Sequence, residues 1–182
     1  LEDANLDPNF KRVMNGIYDG TLRLHEVMDS MFDIAQIDAR SLKPHIQSVE
    51  LGHLIKEVCI EQSSAIKERS QSAKIELPLL PHVNADPNLL RKLFHHLIRN
   101  AIKFTPNNGR IMVTGHHIPG IINLPNGAVE IIVSDTGIGV DPNFREIIFT
   151  KFYQPGDLGK HSTSKTGFKG GGAGLGLALS KG

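Results

Sequence analysis

Tryptophan is missing from this sequence, tyrosine occurs twice, and the single cysteine is Cys59. One cysteine excludes an internal disulfide and any zinc site built on cysteine pairs, and it suits a reducing compartment. So few aromatic residues argue against a stacking platform for single-stranded nucleic acid. An excess of one charge is also lacking. The net charge is +1 over 182 residues, of which 21% are charged, so neither nucleic acid nor an anionic membrane surface is expected as a partner. No run approaches about 18 consecutive apolar residues and the N-terminus has no signal-peptide core, so this piece is read as soluble. Hydrophobic residues make up 40%, enough for one ordinary domain and a smaller attached element. From its abrupt ends the chain is expected to be a piece of something longer.

What is present begins with a long helix over residues 9–38. Ile17, Thr21, Leu24, Met28, Met31 and Ala35 step by four and three, and Val13, Val27 and Ile34 widen the seam. Such a stripe requires a cover, either the domain that follows or another helix. Asp38–Leu51 reads as a connector in which Pro44 prevents simple continuation. A helix is predicted from Leu51 to about Ala73 on the spacing of Leu54, Ile55, Val58, Cys59, Ile60 and Ile66. Lys74–Val83 reads as a strand interrupted by prolines, hence an edge. Asp86-Pro87 opens a helix as N-cap and first position, and Leu89, Leu90, Leu93, Phe94, Leu97, Ile98 and Ala101 form its broad apolar face.

Strands are predicted over Arg110–His116 and Ala128–Ser134, with Asn126-Gly127 as a hairpin-type turn between them. Asp141-Pro142 starts a short helix, residues 155–174 form a loop, and Leu175 begins a last helix. No repeat is visible. Helices interleaved with antiparallel strands predict an α+β, two-layer sandwich, a sheet with helices on one face, preceded by the long helix.

Three segments carry chemistry. D-T-G-I-G at Asp135–Gly139 follows the apolar strand Val129–Val133. An acid there needs a donor, and glycines let the backbone approach a flat ligand. Asp135 therefore suits an exocyclic amine such as that of adenine; the alternative is a tight turn capped by Asp. G-G-G-A-G-L-G-L at Gly170–Leu177 exposes backbone N–H groups ahead of a helix, which suits phosphates; the alternative is a flexible linker. It is neither a dinucleotide fingerprint nor a P-loop. Lys160, Lys165 and Lys169 add positive charge beside it. His96, Asn100 and Lys103 lie on one helix face, where an amide oxygen beside a lysine suits hydrated magnesium and its phosphates. The alternative is an ordinary solvated face.

In order and spacing these segments resemble the ATP-site motifs of sensor histidine kinases. R-N-A-I-K-F-T-P at 99–106 is similar to their asparagine box, and V-S-D-T-G-I-G-V at 133–140 to the first glycine box. I-F-T-K-F-Y-Q at 148–154 is similar to the phenylalanine box, and G-G-A-G-L-G-L-A-L at 171–179 to the second glycine box. M-F-D-I-A-Q-I-D-A-R at 31–40 resembles the end of the second dimerisation helix.

The resemblance implies the Bergerat-type (GHKL) ATP-binding fold, with a mixed, mostly antiparallel sheet. It implies that residues 1–43 are the second helix of the dimerisation and phosphoacceptor hairpin with its connector. Residues 44–182 are then the ATP-binding catalytic domain, truncated at its C-terminus. Asp135 is implied to bind the adenine amine, with Gly137 and Gly139 shaping the pocket, Asn100 on Mg2+ and Lys103 on the phosphates. Phe149 and Phe152 are implied to steady an ATP lid at 155–170, and the backbone of Gly172, Gly174, Leu175 and Gly176 to hold phosphate oxygens. The implied reaction moves the γ-phosphoryl group of ATP to a histidine, then to an aspartate of a response regulator.

Implied partners are ATP, the phosphoacceptor helix of the same or a partner subunit, a receiver domain, and a second copy in the full-length protein. The domain is expected to be cytoplasmic, with membrane attachment of the parent left open.

Departures from the family pattern accompany the resemblance. His96 stands where the family commonly has Asn, although an imidazole can still meet a metal's water shell. His25-Glu26 is followed by V-M-D and not by the acceptor motif, so no acceptor histidine is expected here and the isolated piece is expected to be inactive. Strands expected after the second glycine box are missing. Two rival readings stand beside the kinase. One is a degenerate kinase acting as a scaffold. The other is an ATP-driven clamp like gyrase, HSP90 or MutL, which calls for an acidic residue at position 96.

Overall fold

The computed structural model describes residues 7–120, 125–153 and 174–181, in two compact units, Leu1–Leu42 and Lys43–Gly182. The first unit is the helix α1, Pro8–Asp38, whose N-cap Asp7 accepts a hydrogen bond from the Asn9 amide. Arg40, at φ 50°, ends it in the left-handed region, and the Ser41 amide reaches back to the Gln36 carbonyl at 2.9 Å. This is the 6→1 closure typical of helix ends. Val13, Ile17, Leu24, Met28 and Met31 of the apolar seam are all at least half exposed.

The second unit contains two sheets and four helices among the described residues. They are β1 Gln47–Val49, α2 Leu51–Glu61, α3 Ser63–Glu68, β2 Ser72–Glu76, β3 Val83–Ala85, α4 Pro87–Phe104, β4 Arg110–Ile118, β5 Ala128–Asp135 and α5 Gly176–Lys181. β1 pairs antiparallel with β3, and the larger sheet runs β2-β4-β5. Within it β2 lies parallel to β4, and β4 antiparallel to β5 with Val113 opposite Val133.

Amphipathic spacing explains the layering. α2 buries Leu51, Leu54, Ile55, Val58 and Cys59, and α4 buries Phe94, Ile98, Ala101 and Ile102. Both stripes follow the i, i+3, i+4, i+7 pattern of one helix face. Alternate residues of β4, namely Ile111 and Val113, join the same core, with Val129, Ile131 and Val133 of β5 packed against it. The intervening Met112 and Ile132 are about 40% exposed on the other face. Ile98→Ala is therefore expected to cost about 2–5 kcal/mol in chemical denaturation, whereas Ile60→Ala should stay within about 0.5 kcal/mol. Ile98 is 1% exposed and Ile60 71%; equal costs would refute this assignment of the core.

Two boundaries differ from expectation. The helix predicted to Ala73 breaks at Gln62 and ends at Glu68, because Ser72–Glu76 instead form the ladder with β4. The strand predicted over Lys74–Val83 becomes two short strands in different sheets, separated by Pro78 and Pro81, which cannot donate to a ladder. β1 falls within the predicted connector.

Candidate functional site

α4 is fixed at its start by Asp86. The Asp86 carboxylate accepts from the amides of Asn88 and Leu89 at 2.8 and 3.2 Å, and from the His45 amide at 2.7 Å. These backbone donors, the His45 amide first, hold its carboxyl below the usual range. Along α4, His96, Asn100 and Lys103 are all half-buried. Burial, followed by the nearby Arg99, lowers the Lys103 pKa, and its ammonium sits 4.7 Å from the centre of the Phe104 ring. A partly buried ammonium is stabilised by an anion brought beside it.

The end of α4 meets the turn after β5. Asp135 is the last residue of that strand and is exposed. Its Oδ1 accepts from the Gly137 amide at 2.7 Å, so the tight turn capped by Asp, the alternative reading of this segment, does form. A carboxylate has about four lone-pair sites, so this bond leaves acceptor capacity for an amine. The Ile138 amide donates to the Phe104 carbonyl at 3.2 Å. Around the same corner the Thr136 amide donates to the Arg110 carbonyl at 3.0 Å, and the Arg110 amide donates to Thr136 Oγ1 at 2.9 Å.

The two glycines here differ in purpose. A Cβ on Gly137 would lie 2.4 Å from Asp135 Oδ1 and 2.6 Å from the Phe104 carbonyl oxygen, whereas Gly139 has open space and a φ of +67°. One glycine is required by closeness, the other by conformation.

The second glycine segment closes on the same helix. Leu175 is buried, at 2% exposure, and a Cβ on Gly176 would lie 3.0 Å from His96 Nδ1. α5 thus begins against the His96 ring, a role for this residue that the sequence did not suggest. The Phe152 amide donates to the Gly174 carbonyl at 3.0 Å, and Gly174 has φ +70°. Phe149 ends a 3-10 turn, Ile147–Phe149, and is half-buried, whereas Phe152 is 59% exposed. Phe144, in the 3-10 turn Pro142–Phe144, stacks on Tyr153 with ring centres 6.1 Å apart.

Asn100 and Lys103 are thereby carried on the helix that touches Gly137 at one end and Gly176 along its flank. Gly172, the lid at 155–170 and its three lysines lie outside the described residues. Arg69 and Gln71, which sequence reading passed over, are buried beneath the end of α4. They fall near the end of the helix predicted to Ala73, where nothing signals a distant helix end. Among the described residues no group of three or more His, Cys, Asp or Glu side chains could hold a metal. No helix among them is long and apolar enough to cross a membrane.

The hybrid signal transduction histidine kinase D of Dictyostelium discoideum is 30% identical over 182 residues, which are 100% of this chain and 11% of that protein. The aerobic respiration control sensor protein ArcB homolog of Haemophilus influenzae is 28% identical, over 100% of this chain and 51% of its own length. Among solved structures, full-length ShkA in complex with AMPPNP has a TM-score of 0.75 and 26% identity, covering 98% of this chain and 34% of that one. This likeness bears out the α+β sandwich, and the chain spans at most about half the length of these proteins. The sequence model of one family matches residues 85–182, more than half of the chain and the same helix and turns that converge at this site. The chain belongs to the family of histidine kinase-, DNA gyrase B- and HSP90-like ATPases.

Proposed function

We propose that this chain is the ATP-binding catalytic domain of a sensor histidine kinase. It supplies the γ-phosphoryl group of Mg-ATP to a histidine outside residues 1–182, for relay to an aspartate of a response-regulator receiver domain. The observation that carries the reading is the junction of α4 with the Asp135 turn, where the Ile138 amide meets the Phe104 carbonyl at 3.2 Å. It joins a carboxylate suited to an adenine amine to a helix bearing Asn100 and Lys103.

In this reading Asp135 accepts from the amine, and Gly137 and Gly139 shape the floor of the adenine slot. Lys103 neutralises phosphate charge, and the amides of Gly172, Gly174, Leu175 and Gly176 face phosphate oxygens. Phe149 and Phe152 flank the lid. The donor set fits a magnesium ion that takes most of its ligands from phosphates and water, with Asn100 as the protein's oxygen and His96 reaching it only through water. Such an ion supplies charge neutralisation to phosphoryl transfer. In the transfer the bond from γ-phosphorus to the ADP oxygen breaks and a phosphorus–nitrogen bond to the acceptor histidine forms. The chain's own task is positioning.

Residues 1–43 are proposed as the second helix of the dimerisation hairpin and its connector, the full-length protein as a homodimer, and the domain as cytoplasmic. No nucleic-acid partner is proposed.

Asn100→Ala is expected to lower phosphoryl transfer by about 10–100-fold, the range for loss of a group supporting a metal, with nucleotide docking much less affected. The assay supplies labelled ATP and a separate acceptor helix, and varies magnesium. Unchanged turnover at limiting magnesium removes Asn100 from the metal shell. No transfer by the unsubstituted chain, beside normal ATP binding, favours the scaffold reading that His96 keeps in view. A clamp ATPase is disfavoured because position 96 is not acidic.

A further inference from the structure

We propose that Arg69 and Gln71 are positioning residues for the nucleotide site, fixing the end of α4 and with it the spacing between Lys103 and the Asp135 turn. The inference rests on the nucleotide reading above and assigns to the site two residues that stand outside its motifs.

Both lie in the short R-S-Q link between α3 and β2, where polar residues are ordinarily solvated. Here Arg69 is 4% exposed and Gln71 8%. A buried guanidinium is costly unless acceptors surround it, and the last turn of a helix offers unpaired carbonyls at the negative end of its dipole. α4 supplies them. Arg69 Nη1 donates to the Ile102 carbonyl and, at 3.4 Å, to that of Lys103. Nη2 donates to the Thr105 carbonyl at 2.7 Å, and Nε to Asn107 Oδ1 at 3.2 Å. Gln71 Nε2 donates to the carbonyls of Ile102, Thr105 and Pro106 at 3.0, 2.8 and 3.3 Å.

The Phe104 carbonyl, within the same run, accepts from the Ile138 amide. The helix end is thus held from two sides, by the buried pair and by the first glycine turn.

The clamp is itself anchored. The Asn108 amide donates to the Arg69 carbonyl at 3.2 Å and the Ser72 amide to that of Gly109 at 3.0 Å. Ser70 and Asn108 both have positive φ, 50° and 64°, which is uncommon outside glycine. On α4, Arg69 and Gln71 donate to backbone carbonyls of the segment that bears the side chains assigned to the nucleotide. They act through the backbone, on where those side chains stand. ATP must span the Asp135 turn and the α4 face together, while adenosine needs the turn alone. Loosening the clamp should therefore penalise the larger ligand selectively.

The test compares Arg69→Lys, which keeps the charge and loses the fork, and Gln71→Met, which leaves the Arg69 bonds in place. Calorimetry on the full chain measures Mg-ATP and adenosine separately, with thermal melts as the folding control. Both folded variants should lose Mg-ATP affinity by about tenfold or more while adenosine affinity stays within about threefold, the scale of a few displaced hydrogen bonds. Equal losses for the two ligands, or none, beside normal binding by the unsubstituted chain, overturn this inference alone. Misfolding of both variants overturns it as well, since the pair would then serve the fold at large. Absence of Mg-ATP binding by the unsubstituted chain removes the nucleotide reading, and this inference with it.

Discussion

Asp135→Asn is expected to weaken Mg-ATP binding by about 100-fold, the value of a hydrogen bond to a charged partner, with folding nearly unchanged. The two halves of this result have separate causes. Asparagine keeps an oxygen that can accept from the Gly137 amide, as Asp135 Oδ1 does at 2.7 Å, so the turn survives and the melting temperature should hardly move. It loses the negative charge that an exocyclic amine would meet. A comparison of ATP with an analogue bearing oxygen in place of that amine isolates the effect, because only the unsubstituted chain should prefer ATP. If the variant bound ATP normally, or if affinity fell only because the domain unfolded, the role assigned to Asp135 would be wrong.

Gly137→Ala should be the more damaging of two substitutions in the same turn. Its new methyl group would fall 2.4 Å from Asp135 Oδ1 and 2.6 Å from the Phe104 carbonyl oxygen. The carbonyl is backbone and has no rotamer to escape into, so the turn must lift away from α4. The Ile138–Phe104 hydrogen bond would go with it. A cost of about 1–3 kcal/mol is expected, as for other overpacked sites, together with at least about tenfold loss of nucleotide affinity.

Gly139 provides the contrast, since it has free space and only its φ of +67° resists a side chain. Asparagine visits that region more readily than other residues. Gly139→Asn should therefore be tolerated in denaturant titrations where Gly137→Asn is not. Equal tolerance at both positions would refute the close approach at Gly137.

Much of this was legible in the residues themselves. Asp86-Pro87 set the observed start of α4 and the stripe Phe94, Ile98 and Ala101 its buried face, because capping and periodicity are local signals. The Asp135–Gly139 turn was equally plain. Asn100 and Lys103 could be put on one helix face by counting alone.

What stayed hidden depends on partners distant in the chain. β1 and β3 are three residues each, too short to show alternation, and each exists only through pairing with the other. The helical spacing around Ile66 gave no hint that Ser72 would be claimed by β4. Arg69 and Gln71 fell near the end of the helix predicted to Ala73, and nothing nearby in sequence says that the end of another helix lies above them. The same applies to His96, whose ring meets Gly176 from eighty residues away.

The parallel pairing of β2 with β4 has one more consequence. Parallel neighbours cannot be joined by a tight hairpin, and here the chain between Glu76 and Arg110 includes all of α4. The crossover that brings β2 beside β4 therefore contains the helix bearing Asn100 and Lys103, so a lengthening or shortening of this connection acts on the two residues and on the sheet at once.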